Sequence, residues 1–217
     1  MLKKLYQSLL RHRYKLTIFV ILALSSATCI TLVGARVAYS DSGRYISLIW
    51  NLFLAWIPFV LAYLAYALSW RRTLLYLIVP IFAFLWLIFF PNAPYLITDI
   101  QHLADGLGEA PVWFDVILLI WFSWTGLLLG IVSLYLMQEI VKDAFGKFVG
   151  WVLVFSVSIL SSIGVYLGRF LRWNSWDIIH DSTEILRDAW HLLRNLNRSA
   201  VCFTALFTVF FLFVYLT

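Results

Sequence analysis

Apolar residues fill this sequence in long blocks, and short polar stretches separate them. Residues 16–35, 46–70 and 74–90 contain no charged side chain at all. A fourth block, 113–136, has Asp115 just inside its start, and 148–168 and 200–216 complete a set of six. Each block approaches the ~20 apolar residues that cross a bilayer as a helix. Lone strands could not satisfy their backbone polar groups in lipid, so the blocks read as helices. The predicted fold is all-α: an integral membrane bundle of about six transmembrane helices, with one short loop helix and one interfacial amphipathic helix. The interfacial helix falls within 174–195. There Ile178, Ile179, Ile185, Leu186, Ala189, Trp190 and Leu193 recur at helical spacing, with Asp181, Glu184, Asp188 and Arg194 largely opposite. Asn174 or Ser175 would cap it, and its apolar face would lie in the membrane interface.

The loop helix follows the third block, where Pro91 and Pro94 interrupt the apolar run. A proline disfavours helical geometry in the residue before it, so Phe90 and Ala93 are expected to be extended and the span to end near Phe90. Thr98 and Gln101 fit a capping box, which starts a short helix at Asp99 with Asp99 and His102 on one face. Gly106 and Gly108 are placed to end it, so these two residues would contribute little to span packing. Pro58 and Pro80 lie inside the second and third blocks and predict kinks. Gly126-x-x-x-Gly130 and Gly164-x-x-x-Gly168 put small faces on the fourth and fifth.

Composition agrees with the pattern. The chain has 217 residues, 63% hydrophobic and 12% charged, against roughly half apolar and a quarter charged in an ordinary soluble domain. Residues 1–15 form a basic N-terminal segment, and 16–217 read as a single membrane domain with short linkers. A signal peptide also begins with basic residues, but its apolar core is shorter, and here more spans follow. Net charge is +5, yet no basic face remains once the spans are removed, which argues against nucleic acid. The lipid bilayer is the partner the composition implies, and an oligomer is left open. With the N-terminus cytoplasmic, nine Lys or Arg lie inside and seven outside (Arg36, Arg44, Arg169, Arg172, Arg187, Arg194 and Arg198). The dense N-terminal cluster usually decides orientation, which places both termini in the cytoplasm. Trp50, Trp113, Trp173, Trp176 and Trp190 then fall near the outer level as an aromatic belt. Cys29 and Cys202 both lie in apolar runs and read as buried small hydrophobes.

This topology gathers polar residues at the outer face. Asn51 begins the second span; Asn92, Asp99 and His102 follow the third; Asp115 begins the fourth; Arg169, Arg172, Asn174 and Asp177 follow the fifth. Ionisable groups at the hydrocarbon boundary are costly, so they should face inward and pair, Asp115 with Arg169 or Arg172. Asp99, His102 and Asp115 are the candidates for acid–base chemistry. Asn51, Asn92, Arg169, Arg172, Asn174 and Asp177 are the candidates for holding a substrate, the arginine forks suiting a phosphate or carboxylate. Each has a plainer role as well: Asp99 at a helix start, the arginines snorkelling towards headgroups. Zinc at Asp99 and His102 would need Asp115 or His180 besides, and short motifs often arise by accident, so no metal and no cofactor is assigned.

The blocks Trp50–Pro58, Phe90–Asp99, Trp113-Phe114-Asp115 and Gly168–Asp177 resemble the signature blocks of a bacterial multi-pass membrane family defined only as a domain of unknown function. The resemblance implies a bacterial plasma-membrane location and brings no activity or catalytic residue. Three functions compete. The outer cluster binds or acts on an anionic or lipid-linked substrate; or it is a structural salt-bridge network in a non-catalytic assembly partner; or the protein is a small transporter. Apolar span centres argue against the last.

Overall fold

The computed structural model describes residues 2–106, 110–173, 183, 184, 187 and 198–217. Helix α1 (Leu2–Ser40) runs without a break from the basic N-terminal segment through the first apolar block. Helix α2 (Ile46–Leu68) carries the second and continues through Pro58. The third block is shared by α3 (Arg72–Leu77) and α4 (Val79–Phe89). A one-turn helix α5 (Asn92–Tyr95) and a 3-10 helix (Leu96–Gly106) follow. Helices α6 (Val112–Phe145), α7 (Lys147–Phe170) and α8 (Arg198–Leu216) complete the bundle. Six stretches are long and apolar enough to cross a membrane: Leu16–Ser40, Ile46–Leu68, Val79–Leu103, Val112–Phe145, Lys147–Phe170 and Arg198–Leu216. The chain is therefore an all-α, multi-pass integral membrane protein. The interfacial helix expected within 174–195 lies outside the described residues, which there include only Thr183, Glu184 and Arg187, all exposed.

The third crossing departs from its expected form. Its apolar stretch is Val79–Leu103 rather than 74–90, because the chain breaks at Ile78. Pro80 occupies the first turn of α4, where its missing N–H is no loss, so the helix restarts there instead of kinking. At the far end α4 stops at Phe89, as the prolines require, but the expected extended geometry is absent. Phe90 has φ −55° and ψ −39°, and Ala93 lies within α5. The pre-proline preference is modest, and here the chain meets its backbone hydrogen bonds by turning: Phe90 N–H donates to the Trp86 carbonyl at 2.7 Å and Tyr95 N–H to that of Pro91 at 3.0 Å. Inside a membrane no water is on hand to satisfy an extended segment. The capping box does not form either. Thr98 sits within the 3-10 helix, and its hydroxyl donates to the Tyr95 carbonyl at 2.6 Å.

Both glycine faces receive this proline segment instead of each other. A Cβ placed on Gly126 would lie 2.6 Å from the Ala93 carbonyl oxygen and 2.6 Å from Leu96 Cδ1. One on Gly164 would lie 2.8 Å from Pro91 Cγ, and one on Gly168 3.3 Å from Tyr95 Cε2. Helices α6 and α7 thus clamp residues 91–96 between them. Gly126 is about 21 Å along α6 from Val112 at ~1.5 Å per residue, so the clamp reaches well into the bundle. Gly126→Ala should therefore destabilise by about 1–3 kcal/mol through overpacking. Gly34→Ala, with nothing within 4 Å, should leave the melting temperature in detergent close to wild type; equal values for the two variants would refute the clamp.

Helix α1 docks through small polar contacts, as membrane helices often do. Ser25 Oγ is 2.7 Å from Thr125 Oγ1, Trp56 Nε1 donates to Ser26 at 2.9 Å and Trp121 Nε1 to Ser25 at 3.1 Å. Cys29 is buried beside Thr125, whereas Cys202 is exposed on α8, so only the first fits the expectation of buried cysteines; both are free thiols.

Candidate functional site

The site lies at the end of the bundle where α1 and α7 finish and α2 and α6 begin. Two buried ion pairs occupy it. The first joins α6 to α1: Asp115 accepts from Arg36 Nε at 2.6 Å and from Nη2 at 3.3 Å, with each side chain 2% exposed. Arg36 also donates to Ser40 Oγ, one turn on. Tyr45, in the loop before α2, donates its hydroxyl to Asp115 Oδ2 at 3.3 Å. Burial above all, then the neighbouring carboxylate, pushes this phenol up to about 12, so it stays a donor throughout the physiological range. The expected partner of Asp115 was Arg169 or Arg172, and both are corrected to Arg36. Arg36 is one turn from the end of α1 and Asp115 one turn into α6, so the two meet at the same depth. That shared depth was readable in the sequence.

The second pair is Asp99 with Arg169, whose Nη2 donates to Asp99 Oδ1. Asp99 is 1% exposed, so it is packed into the bundle rather than contributing little to span packing. Geometry explains both the burial and the company. A 3-10 helix repeats every three residues, so Leu96, Asp99 and His102 eclipse one another along one face. Leu96 is fully buried, its carbonyl accepts from the Ser123 hydroxyl, and Asp99 is drawn in behind it. Four further groups hold the pair. Asn51 Nδ2 donates to Asp99 Oδ2 at 3.1 Å, and Arg169 Nε donates to Thr98 Oγ1 at 2.9 Å. The Arg169 guanidinium lies 4.2 Å over the ring of Tyr95, a cation–π contact. His102 Nε2 is 3.4 Å from Arg169 Nη1 and 3.8 Å from Asp99 Oδ1, at the more exposed edge of the cluster.

Beside this pair opens a cleft of about 100 Å³, lined by Trp50, Asn51, Asn92, Tyr95 and Trp173. Asn51 and Tyr95 belong to both: each lines the cleft and each holds a member of the Asp99–Arg169 pair. Asn92 Nδ2 donates to the Phe89 carbonyl at 2.8 Å. Arg172 is exposed, with φ 61°, in the left-handed region. It follows the end of α7, where Trp173 N–H reaches back to the Leu167 carbonyl at 3.3 Å, a helix stop that glycine usually makes. Arg172→Gly should relieve this conformation and stabilise the protein by roughly 1 kcal/mol; a lower melting temperature would mean that the side chain itself anchors the loop.

The expected sites are thus split. Asp99, His102, Arg169, Asn51 and Asn92 are brought together around the cleft; Asp115 belongs to the separate α1 pair; Asn174 and Asp177 lie outside the described residues. Among the described residues no three His, Cys, Asp or Glu side chains gather as metal ligands. Trp50 and Trp113 are exposed at this end, as a membrane-interface belt requires, and Trp176 and Trp190 lie outside the described residues.

No curated protein and no solved structure matches the chain. A family model does, over residues 50–214: most of the chain, with the Asp99–Arg169 cluster and the cleft inside the match and Arg36 and Tyr45 outside it. The chain belongs to the family described as protein of unknown function, DUF1361.

Proposed function

We propose that this end of the bundle binds the polar headgroup of a membrane amphiphile, an anionic or lipid-linked molecule, at the outer face of a bacterial plasma membrane. One observation carries the reading: the cleft and the buried pair share Asn51 and Tyr95. A pair that only braced the bundle would have no need of a polar cleft on its flank. Here the pair fixes the orientation of the side chains that line the cleft, and such preorganisation makes a binding site selective. Aromatic rings with a few placed polar groups are the usual lining of small-ligand sites. Exposed Arg172, beside Trp173, is placed for a charged headgroup at the rim. His102, backed by the Asp99 carboxylate, is what an acid–base step would use.

The orientation rests on the dense basic cluster before the first span, which usually decides the matter. Reporter fusions after Arg72 and Lys147 should score cytoplasmic, and a fusion after Asp105 external.

A second reading, a non-catalytic assembly partner, is favoured by how fully Asp99 and Arg169 satisfy each other. Native mass spectrometry of protein extracted into a polyoxyethylene detergent separates the two. Under the headgroup reading the protein retains a co-purified amphiphile, and Trp173→Leu loses it at an unchanged melting temperature. Equal retention by both proteins would leave only the structural role.

A further inference from the structure

The lining of the cleft also specifies the kind of headgroup. We propose that it takes an uncharged polyhydroxylated ring, a sugar unit, carried either by a lipid or by a free glycoside. This rests on the headgroup reading above and narrows it. Three aromatic side chains from three separate elements face the cleft: Trp50 of α2, Tyr95 of α5 and Trp173 beyond α7. Among the described residues that line it, the polar side chains are two amides, Asn51 and Asn92, and none is charged. Aromatic faces are negative, and the axial C–H groups of a sugar ring are weakly positive, so the two stack. The hydroxyls around the ring then need the mixed donors and acceptors that amides supply.

Charge decides against the alternatives. Arg169, whose guanidinium lies over the lining residue Tyr95, is committed to Asp99 and Thr98. An anion that recruited it would leave the Asp99 carboxylate, 1% exposed, without its cation. A quaternary ammonium would suit the aromatic rings, but Arg169 already lies 4.2 Å over Tyr95 and would repel it. An acyl chain would offer no donor to the Asn51 Oδ1.

One detail fits a ring with hydroxyls. Asp99 can only accept, which fixes the flip of the Asn51 amide: Nδ2 faces the carboxylate, and Oδ1 is left as an acceptor for a ligand hydroxyl.

The test is competitive native mass spectrometry in a polyoxyethylene detergent, which itself carries no sugar. The probes are a monoglucosyl diacylglycerol, phosphatidylglycerol and phosphatidylcholine of equal chain length, each titrated separately. The glucosyl lipid should bind at least tenfold more tightly than either phospholipid, and Trp50→Leu, at an exposed position, should remove that preference at an unchanged melting temperature. Methyl β-glucoside is the second arm. If it displaces the glucosyl lipid at millimolar concentration, the ring alone is recognised and a soluble glycoside can be the ligand; if it does not, the ligand is lipid-borne. Tighter binding of phosphatidylglycerol or phosphatidylcholine, lost in Trp50→Leu, would overturn the sugar inference and leave the headgroup reading standing. Identical binding of all three lipids by wild type and Trp50→Leu would overturn both.

Discussion

Asp115→Ala should lower the melting temperature in detergent more than any other single change at this end of the bundle outside the Asp99–Arg169 pair. Its carboxylate is the partner of Arg36, and both side chains are 2% exposed. Removing it takes from a buried guanidinium the carboxylate that Asp115 supplies, and breaking such a pair costs about 3–5 kcal/mol. The comparison is Glu139→Ala, which breaks the Lys142–Glu139 pair at side-chain exposures of 36% and 24%; pairs of that kind are worth less than ~1 kcal/mol. Replacing both partners, Arg36→Met with Asp115→Leu, should recover most of the loss, because no charge is then stranded. Equal melting of the Asp115 and Glu139 variants would mean that the Arg36–Asp115 pair is open to water.

Asp99→Asn should be comparably damaging, although it preserves the shape of the side chain. The amide still accepts one hydrogen bond, but Arg169, with its side chain 7% exposed, loses its countercharge. A loss of about 3–5 kcal/mol follows on the same argument, and Asp99→Asn with Arg169→Gln should restore part of it. His102→Ala should differ sharply. Its side chain is 39% exposed, and a group in that position usually changes stability by less than ~0.5–1 kcal/mol. From sequence alone both residues belong on a short loop helix that contributes little to span packing, and both substitutions should leave melting nearly unchanged. The burial of Asp99 separates them. If Asp99→Asn melts with the wild type, the pair is not what holds the 3-10 helix against α7.

Asp99 shows where sequence reasoning stops. Pro91 and Pro94 correctly mark the end of α4, yet the rule for the residue before proline is a local preference. It gave way because residues 91–96 are held between the glycine faces of α6 and α7, far apart in the sequence. Once the backbone turns there as helix, the chain stays inside the bundle and carries Asp99 with it. The Gly126–Gly130 and Gly164–Gly168 spacings were legible as small faces, but a spacing names no partner. Arg36 was legible only as a basic residue near the end of a span; that it sits opposite Asp115 required knowing that α1 packs on α6.

The sequence by itself determined depth: which stretches lie in hydrocarbon, at which end the polar residues gather, and that ionisable groups there must turn inward. Hydrocarbon imposes that order along the membrane normal, because each charge or open backbone group placed in it carries a cost that composition reveals. Lateral neighbours were decided by the tertiary structure alone. Lipid tails are as apolar as leucine, so hydropathy does not tell a lipid-facing side from a helix-facing one. Close packing at glycine and pairing of buried charge made that choice, joining Asp99 to Arg169, Asp115 to Arg36, and Asn51 and Tyr95 to the cleft.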